Sequence, residues 1–355
     1  MRSAASWPFG SILSIGLFAA LSIPGASAQN STPDPAPPSP AASSSGTSQQ
    51  SPSTPASSGS QTAPQEPITA EPGTGNDQGG MFVFKKQVEE VVLHATVYDE
   101  ERHMVPGLDK SAFTVYDEGS VQPITSFRKE DVPVAMGIVV DNSGSMRDKR
   151  EQVNQAVMNL IRASNPKDEI FVVNFSQKYY LDQDFTGDVN LLQAALHQVS
   201  AKGSTALYDA IVASAVHLKN NPRLEKKVLL VITDGQDNMS QQTLLEASRR
   251  LQQADGPTLY AVGLLGSGLH SSGQEALQRL AAGTGGVAYF PDTLDQVDNI
   301  TRNVAHDIRS QYMLAYKPHN QNAKPGYSTV RVEAHAPGYT KLTVRTKTGY
   351  FPPVH

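Results

Sequence analysis

Cysteine is absent from all 355 residues. Its absence excludes disulfide staples, thiolate catalysis, cysteine-based zinc or iron–sulfur sites and lipidation on a cysteine, and leaves oxygen and nitrogen as ligand atoms. Excess positive charge is lacking too. With 29 Lys+Arg against 34 Asp+Glu the formal charge is −5, so there is no broad cationic field to hold nucleic acid. The 9 histidines are scattered and never fall in H-E-x-x-H, and no G-x-S-x-G nucleophile elbow occurs. No segment reaches the roughly 20 apolar residues that cross a bilayer comfortably.

What is present begins with an export signal over residues 1–28. Arg2 is its short positive region, residues 12–23 its apolar run, and Ala26-Ser27-Ala28 its small-residue cleavage site. No twin-arginine pair precedes that run. The expectation is a periplasmic or extracellular protein cut near Ala28, with an uncleaved membrane anchor as the alternative. Residues 29–80 are built of Pro, Ser, Ala, Thr, Gln and Gly, with four acidic residues, no Lys or Arg, and Ile68 as the one large aliphatic side chain. Such a segment cannot bury enough apolar surface to offset its ordering entropy, and it reads as a disordered linker. Asn30-Ser31-Thr32 matches a glycosylation sequon, a pattern common by chance.

From residue 81 the pattern changes. Residues 133–140 (PVAMGIVV) are almost wholly apolar, as in a strand buried on both faces of a parallel sheet. A helix over 146–163 follows, with Val153, Ala156, Val157, Leu160 and Ile161 at helical spacing. Strands over 169–175, 227–233, 257–264 and 287–290 then alternate with helices over 205–218, from Ser240 onward, over 274–282 and over 293–309. Ser240 is expected to cap its helix. This alternation predicts a doubly wound, mostly parallel α/β domain over 131–310. The flanks, 81–130 and 311–355, read instead as short strands broken by Pro-Gly and Asp-Glu-Gly turns: 88–98, 112–116, 122–127, 311–316, 328–334 and 341–346. Each flank is too short for a core of its own, so the two are expected to pair into one β-sandwich from which the α/β domain emerges.

Polar chemistry gathers at strand ends. Asp141-Asn142-Ser143-Gly144-Ser145 directly follows the first buried strand, where open α/β sheets place ligands. Asp234 follows the strand KVLLVIT, and Thr205 opens a helix after Lys202-Gly203-Ser204. Three chain-distant segments thus bring two carboxylates and three hydroxyls to one rim. That is an oxygen set for a hard divalent cation, Mg²⁺ or alternatively Mn²⁺ or Ca²⁺. Asp209 and Asp237 nearby read as supporting or capping residues. Arg147 to Arg150 reads as the solvated start of a helix, and Tyr179 and Tyr180 as rim contacts or residues packed on the sheet.

Asp141-x-Ser143-x-Ser145, Thr205 and Asp234 resemble, in order and context, the metal-ion-dependent adhesion site of von Willebrand factor A (VWFA) domains. The resemblance spans roughly 133–309. The flanks are similar to a bacterial VWFA-related family at Val105-x-Gly107-Leu108, Phe113-x-Val115, Asp117-x-Gly119 and Phe127, and at Tyr312-x-Leu314-x-Tyr316 and Gly349-Tyr350. The resemblance implies that Ser143, Ser145 and Thr205 offer hydroxyls to a metal and that Asp141 and Asp234 hold it directly or through water. It further implies that an Asp or Glu of a protein partner completes the coordination, which is binding without turnover. A scaffold whose metal is purely structural is the alternative, and a hydrolase using Ser143 or Ser145 is a weaker one for want of a matched base. Gly283-Thr284-Gly285-Gly286-Val287-Ala288 fits G-x-G-x-x-A but follows a helix and precedes a strand, the reverse of a dinucleotide fingerprint. The glycines from Gly263 to Gly268 lack a phosphate-loop lysine, and His270-Ser271-Ser272 stands without an elbow.

Overall fold

The computed structural model of the protein describes residues 90–129, 131–197, 201–221, 223–264, 271–318 and 326–352. The export signal, the linker and the first residues of the leading flank lie outside the described residues, as do Gly266, Gly268 and His270.

The leading flank supplies β1 (Val91–Tyr98), β2 (Phe113–Asp117), β3 (Ser120–Gln122) and β4 (Ile124–Arg128). The central layer runs β5 (Val134–Asp141), α1 (Arg150–Arg162), β6 (Glu169–Phe175), β7 (Tyr179–Thr186), α2 (Val189–His197), α3 (Leu207–Lys219), β8 (Lys226–Thr233), α4 (Leu244–Leu251), β9 (Thr258–Gly263), α5 (Ser271–Thr284), β10 (Ala288–Tyr289) and α6 (Gln296–Arg309). The trailing flank adds β11 (Tyr312–Tyr316), β12 (Ser328–Ala334), β13 (Thr343–Arg345) and β14 (Gly349–Tyr350).

Every residue of β5 is buried, which is why its sequence is apolar on both alternating faces. It lies inside a six-stranded sheet of order β10-β9-β8-β5-β6-β7, parallel except for β7, which runs antiparallel to β6 at the edge. Met136, Ile138 and Val140 face a core shared with α1, α2 and α6, whereas Ala135 and Val139 face one shared with α3, α4 and α5. Gly137 is required by its neighbours, since a Cβ there would lie 2.3 Å from Phe171 Cζ and 2.6 Å from Leu229 Cδ2. This is the α/β architecture read from the sequence, with helices on both faces because parallel strands need crossovers.

The two flanks pair with each other through β1–β11, β1–β13, β4–β11 and β2–β12. One four-stranded sheet has the order β13-β1-β11-β4 and the other β14-β12-β2-β3, so each mixes strands from both ends of the chain. In β1 and β11, Leu93 lies opposite Leu314 and Val91 opposite Tyr316. Inward residues of both sheets, among them Leu93, Val115, Tyr312, Leu314, Val330 and Val332, form one core. The alternation in β12, buried and exposed by turns from Ser328 to Arg331, is what a one-sided sheet requires.

Several local expectations are corrected. The single strand expected over 122–127 is two, divided at Pro123, which has no N–H for a ladder; β3 pairs with β2 in one sheet and β4 with β11 in the other. The helix expected from 146 begins at Arg150, because Gly144–Met146 forms a 3-10 turn first. The helix expected from Ser240 begins at Leu244. Thr243 and Glu246 close a capping box there, with Glu246 N–H on Thr243 Oγ1 at 3.2 Å and Thr243 N–H on Glu246 Oε2 at 2.7 Å. Neither β7 nor α2 is apparent in the sequence. The outer edge strand reads YYLDQDFT, without the apolar run that marks its neighbours.

Candidate functional site

β5 and β8 are neighbours, and the chain leaves them in opposite directions: β5 is followed by β6 on one side and β8 by β9 on the other. Their C-terminal ends therefore border the crevice where a doubly wound sheet admits ligands. Asp141 is the last residue of β5 and Asp234 the first after β8, which places the two carboxylates side by side.

Both carboxylates are almost fully buried, with relative exposures of 0% for Asp141 and 1% for Asp234. Asp141 accepts the Ser143 N–H on Oδ1 at 2.7 Å and the Thr233 hydroxyl on Oδ2 at 2.6 Å. From Ser143 a chain of oxygens leads outward. Ser143 Oγ lies 3.1 Å from Ser145 Oγ, and Ser145 Oγ donates to Asp234 Oδ1 at 2.8 Å. Gly144 N–H is anchored on the Gly203 carbonyl at 3.1 Å, tying the serine loop to the segment that carries Thr205. Thr205 is fixed in turn on the Asp234 loop. Its N–H reaches Asn238 Oδ1 at 2.9 Å and its carbonyl accepts Asn238 N–H at 3.0 Å. The Thr205 hydroxyl adjoins Gly235, where a Cβ would come within 3.1 Å of Oγ1.

The structure thus links Asp141, Ser143, Ser145 and Asp234 through hydrogen bonds and sets Thr205 against the same loop. Burial, reinforced by the neighbouring Asp234 charge and opposed by hydrogen bonds from Thr233 and Ser143, pushes the Asp141 carboxyl up to about 6. Two buried carboxylates with three hydroxyls beside them make a donor set of oxygens alone. That set suits a hard cation, which would relieve the repulsion between the acids.

Asp209 and Asp237 brace the rim. Asp209 accepts the N–H of Gln242 at 2.8 Å and of Gln241 at 3.0 Å, and Asp237 accepts Tyr208 N–H at 3.3 Å. The Ser240 hydroxyl, instead of capping α4, donates to Asp237 and accepts the first-turn Asp209 N–H of α3 at 3.1 Å. Tyr179 and Tyr180 do not pack on the sheet; they stand 48% and 56% exposed on the edge strand β7.

Arg147 to Arg150 is not a uniformly solvated face. Arg147 and Asp148 are exposed, but Lys149 makes an ion pair with Asp234, and Arg150 is buried with Nη2 on the Leu196 carbonyl at 2.7 Å. Burial brings the Arg150 guanidinium down to about 10. Lys149 and Thr233 are the partners of the two carboxylates that sequence reasoning passes over. The only signal for Lys149 is that the turn before α1 returns its side chain toward Asp234; nothing in residue type separates it from the basic residues beside it. Asn142, 2% exposed with its N–H on the Phe175 carbonyl at 2.6 Å, has a side-chain amide with no hydrogen-bond partner among the described residues.

Comparison with known proteins gives a family match over part of the chain. Residues 136–236 match the model of the von Willebrand factor type A domain. No curated protein matches the chain. Similar solved structures include a von Willebrand factor type A protein from Catenulispora acidiphila, at 14% identity over 76% of this chain and 75% of that one, with a TM-score of 0.44. Another is the proximal thread matrix protein 1 of the mussel byssus with a zinc-occupied MIDAS motif, at 16% identity over 54% of this chain and 49% of that one, TM-score 0.45. A third is BatB from Bacteroides thetaiotaomicron, at 17% identity over 50% of this chain and 100% of that one, TM-score 0.40. This chain spans about half the length of the mussel protein. With the strand-end loops and the parallel sheet already described, the family match makes residues 136–236 a von Willebrand factor type A domain.

Proposed function

We propose that this protein is a metal-dependent binding module. A divalent cation, Mg²⁺ or Mn²⁺, is held by Ser143, Ser145, Asp234, Asp141 and Thr205, and an Asp or Glu side chain of a protein partner completes its coordination. The observation that supports this most is the run of oxygens from Ser143 Oγ through Ser145 Oγ to Asp234 Oδ1, at 3.1 and 2.8 Å, on the rim of the sheet. The three hydroxyls add no charge, so with Asp141 and Asp234 a dication is no more than balanced, and an incoming carboxylate can take an open ligand position on it. The hydrolase alternative is not supported by the amine at the site: Lys149 is engaged by Asp234 and is no free base for either serine. With the export signal and linker read in the sequence, the module acts outside the cytoplasm on a tether.

The test is calorimetric titration of Mn²⁺ and Mg²⁺ into the metal-stripped protein, with thermal melts alongside. At 100 times the dissociation constant, binding stabilises a fold by about 2.7 kcal/mol. At roughly 2–4 °C per kcal/mol for a protein of this size, the melting temperature rises by about 5–11 °C. Asp141→Asn abolishes the rise while the metal-free protein still folds, since Asn keeps the shape and one acceptor for Ser143. An undiminished rise in that variant would overturn the assignment.

A further inference from the structure

Asp234 is 1% exposed, and each of its oxygens is already occupied by a donor: Oδ1 by the Ser145 hydroxyl at 2.8 Å and Oδ2 by the ammonium of Lys149. Lys149 is delivered there by the local backbone. The 3-10 turn at Gly144–Met146 continues into a turn in which Lys149 N–H bonds the Met146 carbonyl at 3.0 Å, and Lys149 then stands as the residue preceding α1. Its side chain is 21% exposed, so the ammonium sits at the mouth of the site with a path to solvent.

These positions create a competition. A buried carboxylate without a counter-ion is strongly unfavourable, and Lys149 is the counter-ion that Asp234 has. A dication bound at the same carboxylate would lie only a few ångströms from the ammonium, where repulsion in a partly desolvated site is large. The four-carbon lysine stem is flexible and its head strongly hydrated, so the ammonium can leave for water when the ion arrives. We infer that Lys149 is a resident cation of the site, the counter-ion of Asp234 that a divalent metal must displace, and therefore the residue that sets how much metal is needed to load it. The inference rests on the metal-binding reading above and concerns a residue outside the oxygen donor set. It carries a second consequence. With the displaced Lys149 ammonium still at the mouth of the site, two ionised carboxylates and a dication bring the net charge there to about +1, which favours an anionic partner over a neutral one.

Lys149→Met removes the ammonium and keeps most of the stem. The comparison is Mn²⁺ affinity by calorimetry, together with the melting temperature with and without Mn²⁺, in the full chain and in Lys149→Met. Arg147→Gln serves as a control, since it removes the same charge from an exposed position two residues away. Lys149→Met is expected to bind Mn²⁺ about tenfold more tightly, equivalent to about 1.4 kcal/mol, and to melt lower than the unaltered protein only when metal-free. Arg147→Gln is expected to change affinity less than twofold. If the unaltered protein binds Mn²⁺ and Lys149→Met binds it equally or more weakly, or if Arg147→Gln tightens binding as much, the resident-cation assignment fails while the metal site stands. If neither the protein nor Lys149→Met binds Mn²⁺, both readings fall. Binding in Lys149→Met alone would support the inference in its strongest form, a site that its own lysine closes.

Discussion

Replacing Asp307 should do more damage than its place near the end of a helix suggests. Asp307 lies in the last turn of α6, the end of a helix where the macrodipole disfavours a carboxylate. It is nevertheless 1% exposed, because the flanking sheets and the central strand β9 supply its partners. Arg345 of β13 makes an ion pair with Oδ2, Thr96 of β1 donates to Oδ1 at 2.9 Å, and Tyr260 of β9 donates to Oδ2 at 2.5 Å. Burial, then the Asp307 charge, hold the Tyr260 phenol well above its ordinary value, so it remains a donor. Asp307→Ala strands three donors at once. Removing one partner of a buried ion pair costs about 3–5 kcal/mol. Arg345 keeps the Gly285 carbonyl at 3.1 Å and its side chain is 23% exposed, which lowers the expectation to about 2–4 kcal/mol. The melting temperature should fall by roughly 5–15 °C. Calorimetry of Asp307→Ala, Arg345→Met and the double variant is the assay. The double variant should lose at least about 1 kcal/mol less than the two singles combined, because each single already breaks the shared pair. A loss below about 1 kcal/mol in Asp307→Ala, or strict additivity, would refute the idea that this network fastens the last helix to the sandwich.

Three further outcomes follow from the packing. Lys347 is buried with Nζ on the Ala254 carbonyl at 3.0 Å, and burial draws its ammonium down to about 8. An unfolded lysine titrates near 10.4, so the unfolded chain binds more protons between about pH 8 and 10.4 and stability from this group rises across that window. Lys347→Met should raise the melting temperature at pH 7 and flatten that rise; chemical denaturation at pH 7, 8 and 9.5 measures it. Gly137→Ala drives a methyl group into Phe171 and Leu229 and should cost about 1–3 kcal/mol by urea unfolding. Thr243→Ala opens the capping box of α4 and should cost about 1 kcal/mol, readable in the same experiment.

The central strands are legible because burial on both faces leaves no polar position to confuse the pattern, as in β5 and β8. The flank strands are legible from the glycine turns between them, where Gly107, Gly119 and Gly338 take positive φ. What escapes is decided by contacts that no local pattern encodes. An edge strand such as β7 needs little apolar character, and the start of α4 turns on which of two nearby hydroxyls captures Glu246. At the site, Asp141, Ser143, Ser145 and Asp234 can be placed together from sequence because two neighbouring strands end there. Lys149 cannot, since a lysine in Arg-Asp-Lys-Arg looks solvated until the turn before α1 directs it inward.

The pairing of Val91 with Tyr316 joins residues separated by most of the described chain. A flexible loop of that length would be slow to close, and non-local pairing of this kind sets folding rates. The central layer shortens the search. Once it has formed, its entry and exit are held together: Arg309, at the end of α6, bonds Asp131 at 2.9 Å and makes an ion pair with Asp168, which also accepts Val134 N–H at 2.9 Å. β4 and β11 then leave from adjacent points and meet as near neighbours. This geometry predicts an order of events, with the α/β layer first and the sandwich last. During synthesis β1 and β4 must wait for β11, and the β2–β3 hairpin for β12, until residues beyond 311 emerge. Until then the leading flank is exposed to mispairing and to proteolysis.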